Sequence, residues 1–256
     1  MSDSEIKDKN FLTTLARGLS VIRSFQKNKM TMTLSEMAEA NDMSRASARR
    51  FLLTLQTLGY VKVEGRQFSL TPKVLELGYS YLANLDVGGV VSSQLEQVTQ
   101  QIHQSSSAAV LDGTDIVYIA RVPVRSLLAF NLQIGARLPA YATSMGRVLL
   151  SQLPEQKVIS ILESSSIEPL TPYTLTSQAD ILKELKIVKQ LGYSINDQEL
   201  ELGLRSVAVP VFNQKGQVKL TLNISTHVSQ VSSEHIVSTF VPILKQASAQ
   251  ISASLP

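Results

Sequence analysis

The run Leu204–Ser225, LRSVAVPVFNQKGQVKLTLNIS, reads as a β-hairpin: two segments of alternating polarity separated by Asn213 to Gly216. Side chains alternate along a strand, so Val207, Val209 and Val211 share a face, joined across the turn by Val218, Leu220, Leu222 and Ile224. The opposite face carries Ser206, Ala208, Thr221, Asn223 and Ser225, and the only charges near it, Lys219 and the adjacent Arg205, stand at its ends. A solvated face is usually rich in Lys and Glu. Small neutral hydrogen-bonding side chains also suit a polar pocket, so this face is either wet surface or a ligand site.

Upstream, SAAVLDGTDIVYIARV reads as two strands about an Asp112-Gly113 turn, and LLAFNLQIG as another strand. Helices are expected at SMGRVLLSQL, EQKVISILESS, QADILKELKIVKQLG and SSEHIVSTFVPILKQASAQI, and a further amphipathic helix presents Val91, Leu95, Val98 and Ile102. Hairpin strands with helices before, between and after them indicate an α+β domain built on an antiparallel sheet, over residues 88–256.

The N-terminal part has a different rhythm. Leu15, Leu19, Ile22 and Phe25 recur at helical spacing, a polar NKMTMT connection follows, and LSEMAEANDM reads as a short helix with Met37 and Ala38 inward. Ser44 is placed as the N-cap of a third helix, SRASARRFLLTLQTLGY, with Ala48, Phe51, Leu52, Leu55 and Leu58 on one face and Gly59 at its end. YVKVE and QFSLT flank Gly65-Arg66 as a hairpin. Three helices and a hairpin make a winged helix-turn-helix over residues 11–71. Thr71-Pro72 opens a linker helix over residues 72–87.

The second helix of such a motif presents its early residues to the major groove. Here Ser44, Arg45, Ser47, Arg49 and Arg50 form that stretch, without an acid among them, and Arg66 at the wing tip is a candidate phosphate contact. Residues 1–85 hold 12 Lys or Arg against 8 Asp or Glu and the remainder 12 against 13, which puts a polyanion partner at the N-terminal part. The chain has no cysteine, excluding thiolate metal sites and disulfide scaffolds, and no window approaches the ~20 apolar residues of a membrane span. A cytoplasmic location is expected. His103, His227 and His235 have no standard metal spacing, and no glycine-rich phosphate loop occurs, so no metal or cofactor is expected.

The order of elements resembles the IclR family of bacterial transcription regulators. LARGLSVIRSF with LSEMAEANDMSRASARRFLLTLQTLGYV is similar to that family's winged helix, and LPAYATSMGRVLLSQL with GYSINDQELELGLRSVAVPVFNQKG to its C-terminal domain. Gly192, Asn196, Glu199 and Ser206 follow the family pattern, although Asn196 stands where Asp or Ser is more usual. GARLPAYATSMGRVLL followed by LTPYTLT resembles the branch that controls aromatic-acid breakdown, the PcaU and PobR type. The resemblance implies a homodimer or dimer of dimers on a double-stranded DNA operator, with a GAF-like effector-binding domain for a small metabolite. It carries ligand positions onto Ser144, Met145, Asn196, Asp197, Ser206, Asn223 and Ser225.

An aromatic carboxylate needs a cation or several donors and an apolar slot. Arg137 is the leading cation, with an ion pair to Glu199 or Glu201 as its structural alternative. Thr143 and Ser144 begin a helix whose free N–H groups favour an anion or simply cap it. Leu127, Leu138 and Met145 are candidates for the ring slot. Two other functions fit parts of the chain: a metabolite sensor acting through protein contacts, and a serine hydrolase, since Ala142-Thr143-Ser144-Met145-Gly146 matches a loose A-x-S-x-G elbow with Asp197 and His227 after it.

Overall fold

The computed structural model describes residues 10–26, 29–84, 89–124 and 132–255. The chain divides between Tyr81 and Leu82 into two units. The first comprises α1 (Thr13–Arg23), β1 (Thr31–Thr33), α2 (Leu34–Ala40), α3 (Arg45–Thr57), β2 (Val61–Glu64) and β3 (Gln67–Leu70). Thr33 caps α2 in a reciprocal box with Glu36, donating its N–H to Glu36 Oε2 at 2.8 Å and accepting the Glu36 N–H on Oγ1 at 3.3 Å. Asn41 holds the turn to α3, since its amide donates to Met37 O and Ser24 Oγ at 3.0 and 2.8 Å while Ser20 Oγ donates to Asn41 Oδ1 at 2.6 Å. Val21, Met37, Ala38, Ala48, Leu52 and Leu55 pack the three helices together.

Three details depart from expectation. The NKMTMT connection supplies a strand: β1 pairs with β3, Met32 opposite Phe68, and Met32 is buried. On α1 it is Val21 that is buried in the core, with Gly18 facing Phe51, whereas Leu15 and Leu19 are 61% and 49% exposed. Leu58 is also exposed, as it lies past the last turn of α3.

The linker begins as a 3-10 turn, Pro72–Leu75, and continues as α4 (Glu76–Asn84). The second unit holds α5 (Val90–Ile102), β4 (Ser105–Asp112), β5 (Asp115–Val122), β6 (Arg137–Pro139), α6 (Ser144–Ser151), α7 (Glu155–Glu163), α8 (Gln178–Leu191), β7 (Ser194–Asp197), β8 (Leu204–Phe212) and β9 (Val218–His227). It closes with α9 (Ser233–His235), a π turn (Ile236–Phe240) and α10 (Val241–Ser252). The strands form an antiparallel sheet in the order β6-β5-β4-β9-β8-β7. Of the third strand expected at 127–135, residues 127–131 lie outside the described residues and 132–135 are turn and coil; the next described strand is β6.

Both faces of the sheet are covered. Val207, Val209, Val211, Leu220, Leu222 and Ile224 pack against α5 and α10, as alternation requires. The other face meets α6, with α7 and α8 beyond it, and Ala208 belongs to that second core. Val218 changes sides. A register shift after Val211 pairs Phe212 with Val218 and places Val218 in the α6 core rather than beside Leu220.

Candidate functional site

In the first unit, Ser44 caps α3 by accepting the Ser47 N–H on Oγ at 3.1 Å. Ala48 and Leu52 then point to the core, leaving Arg45, Arg49 and Arg50 exposed. None of the three takes part in an ion pair among the described residues, so their charge is free for a partner. Arg66 is exposed at the tip of the β2-β3 turn, next to Gly65 in the left-handed region at φ +63°.

The second unit contains a cavity of about 440 Å³ between the polar face of the sheet and the start of α6. Register explains its chemistry. Arg121, Ser107 and Asn223 lie in one row across β5, β4 and β9, and Ser105, Ser225, Ser206 and Asn196 in the next across β4, β9, β8 and β7. Ser144 Oγ shares a hydrogen bond with Ser206 Oγ at 2.9 Å, joining α6 to the sheet, and Asn196 Nδ2 donates to Ala142 O at 3.0 Å. Asn223 Nδ2 donates to Ser225 Oγ at 3.0 Å, while Asn223 Oδ1 and Thr226 Oγ1 are buried without a partner among the described residues. Thr143 caps α6 by accepting the Gly146 N–H at 3.0 Å, and Thr143, Ser144 and Met145 at the start of the helix line the cavity.

A β-bulge supplies the cation. Ala108 pairs with Ala120 but Ala109 with Tyr118, so Ile119 is the extra residue on β5. Ile119 and Ala120 both pack in the α5 core, and Tyr118 and Arg121 both line the cavity three positions apart. Burial pushes the Tyr118 phenol up to about 12, partly offset by the Arg121 charge. Burial likewise lowers Arg121 from its usual value, yet a guanidinium stays protonated at neutral pH. Arg121 has no carboxylate partner among the described residues.

Thr143, Ser144, Met145, Asn196, Ser206, Asn223 and Ser225 all line this cavity. Arg137 does not. It is half-exposed at the strand edge, where Nη1 donates to Asp112 Oδ2 at 2.5 Å and Nε to Asp115 Oδ2 at 3.0 Å, and the hydrogen bond accepted by Asp112 is the main cause of its raised pKa. Neither Glu199 nor Glu201 is its partner. Asp197 also points elsewhere, accepting from Arg205 Nη2 at 2.7 Å. Leu138 packs in the α6 core, and Leu127 lies outside the described residues.

Sequence reasoning missed Arg121, Tyr118, Leu132, Leu200, His103 and His227 as cavity residues. The histidines have individual explanations: His103 ends α5 in the left-handed region, and His227 Nδ1 shares a 2.7 Å hydrogen bond with Ser229 Oγ. With Asp197 on Arg205 and Ser144 on Ser206, the Ser144, His227 and Asp197 relay of a hydrolase is not assembled. Glu199 instead meets a buried Arg147 on α6 through two 2.5 Å hydrogen bonds. It also accepts the Leu175 N–H at 3.0 Å, while Thr171 Oγ1 and Thr174 Oγ1 donate to Gln198 O and Glu199 O. The LTPYTLT segment therefore braces the loop that brings Leu200 to the cavity.

Comparison with known proteins agrees with this arrangement. Residues 79–253 match the family described as Bacterial transcriptional regulator IclR C-terminal, and residues 14–65 match the IclR helix-turn-helix domain. A Pca regulon regulatory protein of Pseudomonas putida is 40% identical over 245 residues, covering 95% of this chain and 84% of that protein. The crystal structure of a transcriptional regulator from Rhodococcus sp. RHA1 superposes with a TM-score of 0.85 at 46% identity, covering 96% of this chain and 98% of that one. The inducer-binding domain of a PobR transcription factor double mutant from Acinetobacter, in complex with 3-hydroxybenzoic acid, superposes with a TM-score of 0.60 at 32% identity, covering 65% of this chain and 97% of that one. With its winged helix, its antiparallel sheet and both family domains matched in order, the chain belongs to the IclR family of transcriptional regulators.

Proposed function

We propose that this regulator's hold on its operator answers to an aromatic hydroxy acid of the protocatechuate or hydroxybenzoate class, bound in the cavity beneath α6. The observation that carries this is the Arg121 guanidinium, without a carboxylate partner among the described residues, in a part-apolar cavity of ligand size. Arg121 and the first-turn N–H groups of α6 would take the carboxylate, Tyr118, Leu132, Met145 and Leu200 the ring, and the unpartnered Asn223 Oδ1 and Thr226 Oγ1 a ring hydroxyl. The relatives support the class: one is named for the Pca regulon, and another holds 3-hydroxybenzoic acid.

Residues 11–71 serve as the DNA-binding domain in this scheme, 72–87 as the linker helix and 88–256 as the effector-binding domain, in a cytoplasmic homodimer or dimer of dimers. Arg45, Arg49 and Arg50 approach the major groove with Ser44 and Ser47, and Arg66 a phosphate. Leu12, Leu15 and Leu19 leave an exposed apolar stripe on α1 suited to a second copy. Effector acts by favouring one of two arrangements of the oligomer.

Calorimetric titration with protocatechuate and 4-hydroxybenzoate tests the cavity. Arg121→Met should weaken binding about ten- to a hundredfold, the scale of a lost charge-assisted hydrogen bond, and Arg137→Met should leave it unchanged. Equal affinity of Arg121→Met and wild type would remove the carboxylate from this position.

A further inference from the structure

Resting on the assignment of α3 as the DNA-recognition helix, we infer that Thr71 and Lys73 form a latch on its C-terminal end and are positioning residues for operator binding. A helix leaves its last carbonyls without internal donors. Here Gly59, in the left-handed region at φ +83°, turns the chain so that the Tyr60 N–H reaches Leu55 O at 2.9 Å and the Gly59 N–H reaches Gln56 O at 3.0 Å. The carbonyls of Leu58, Gly59 and Tyr60 are met from beyond the wing. Lys73 Nζ donates to Leu58 O at 3.0 Å, Thr71 Oγ1 to Gly59 O at 2.5 Å, and the Thr71 N–H to Tyr60 O at 2.9 Å.

Charge reinforces the geometry. The last turn of α3 has no basic residue of its own, so Lys73 supplies the cation at the negative end of the helix dipole. Its ammonium also lies 5.2 Å from the Tyr60 ring centroid, and its stem runs beside Gly59, where a Cβ would make an ordinary contact at 3.5 Å with Lys73 Cδ. Thr71 acts in both directions, since the Oγ1 that donates to Gly59 O accepts the Lys73 N–H at 3.3 Å and caps the Pro72–Leu75 turn. The end of the recognition helix and the start of the linker thereby move as one piece, and a displaced linker carries Arg45, Arg49 and Arg50 with it.

A lysine in a DNA-binding unit has an obvious other use as a phosphate contact, and salt dependence separates the two. Full-length wild type, Lys73→Met, Lys73→Arg, Thr71→Val and Arg49→Ala are titrated onto the chain's own upstream promoter fragment at several salt concentrations, with circular dichroism melts to hold each below its unfolding transition. Lys73→Met and Thr71→Val should bind about three- to tenfold more weakly with an unchanged slope of log affinity on log salt, and Lys73→Arg should restore affinity. A slope reduced by about one in Lys73→Met marks a phosphate contact and overturns the latch. So does undiminished affinity in folded Lys73→Met while Arg49→Ala abolishes binding. Full affinity in Arg49→Ala overturns the latch together with the recognition role of α3.

Discussion

Arg147 is 1% exposed and carries a permanent charge into the second core, a position tolerable only because Glu199 meets it with both oxygens and Tyr141 O accepts from its Nε at 3.0 Å. Removing one partner strands the other. Arg147→Met should therefore lower stability by about 3–5 kcal/mol in denaturant unfolding, and adding Glu199→Leu should recover much of that loss, since replacing both charges with apolar groups is often close to neutral. Recovery would be incomplete because Glu199 also accepts the Leu175 N–H, and Leu175 would lose its acceptor. The pair was not legible in the sequence: Arg147 and Glu199 lie 52 positions apart, and nothing local distinguishes either from a surface charge. Ser206, Asn223 and Ser225 were partly legible: a two-residue period is a local property that put them on one uncharged polar face, but only the family resemblance turned that face from a possible wet surface into a ligand site.

At the scale of the element, helix propensity and packing oppose each other in α6. Gly146 lies inside that helix, where alanine is intrinsically favoured by about 1 kcal/mol. A Cβ there would overlap the backbone of Ala140, which cannot swing aside as a flexible side chain can. The clash decides the sign. Gly146→Ala should lower the melting temperature and weaken protocatechuate binding, because α6 must lift from the Ala140–Ala142 turn and carry Ser144 away from Ser206. Higher stability in a thermal melt would contradict the close approach. The strand β5 shows where local pattern fails. Alternation puts Arg121 opposite Tyr118, and only the extra residue Ile119, invisible to a period-two reading, turns both toward the cavity. The choice of Arg137 as cation came from its place just before Leu138-Pro139, whereas Asp112 and Asp115, held by the strand pairing, had already claimed it.

For the whole molecule, the two units differ in what they leave at the surface. The first exposes Leu12, at the N-cap of α1, in line with Leu15 and Leu19 on the helix, and also Leu75, Leu77, Tyr79 and Tyr81. Leu15→Glu should shift the sedimentation profile toward a smaller species and weaken operator binding, while leaving calorimetric affinity for the aromatic acid intact. An unchanged profile would place self-association elsewhere. The second unit's sheet ends on β6, three residues long, and β7, four residues long. Such edges present too few unpaired backbone groups to template another strand. Short edges of this kind disfavour growth of the sheet across copies into a continuous ladder through β6 or β7, and so limit aggregation by strand addition.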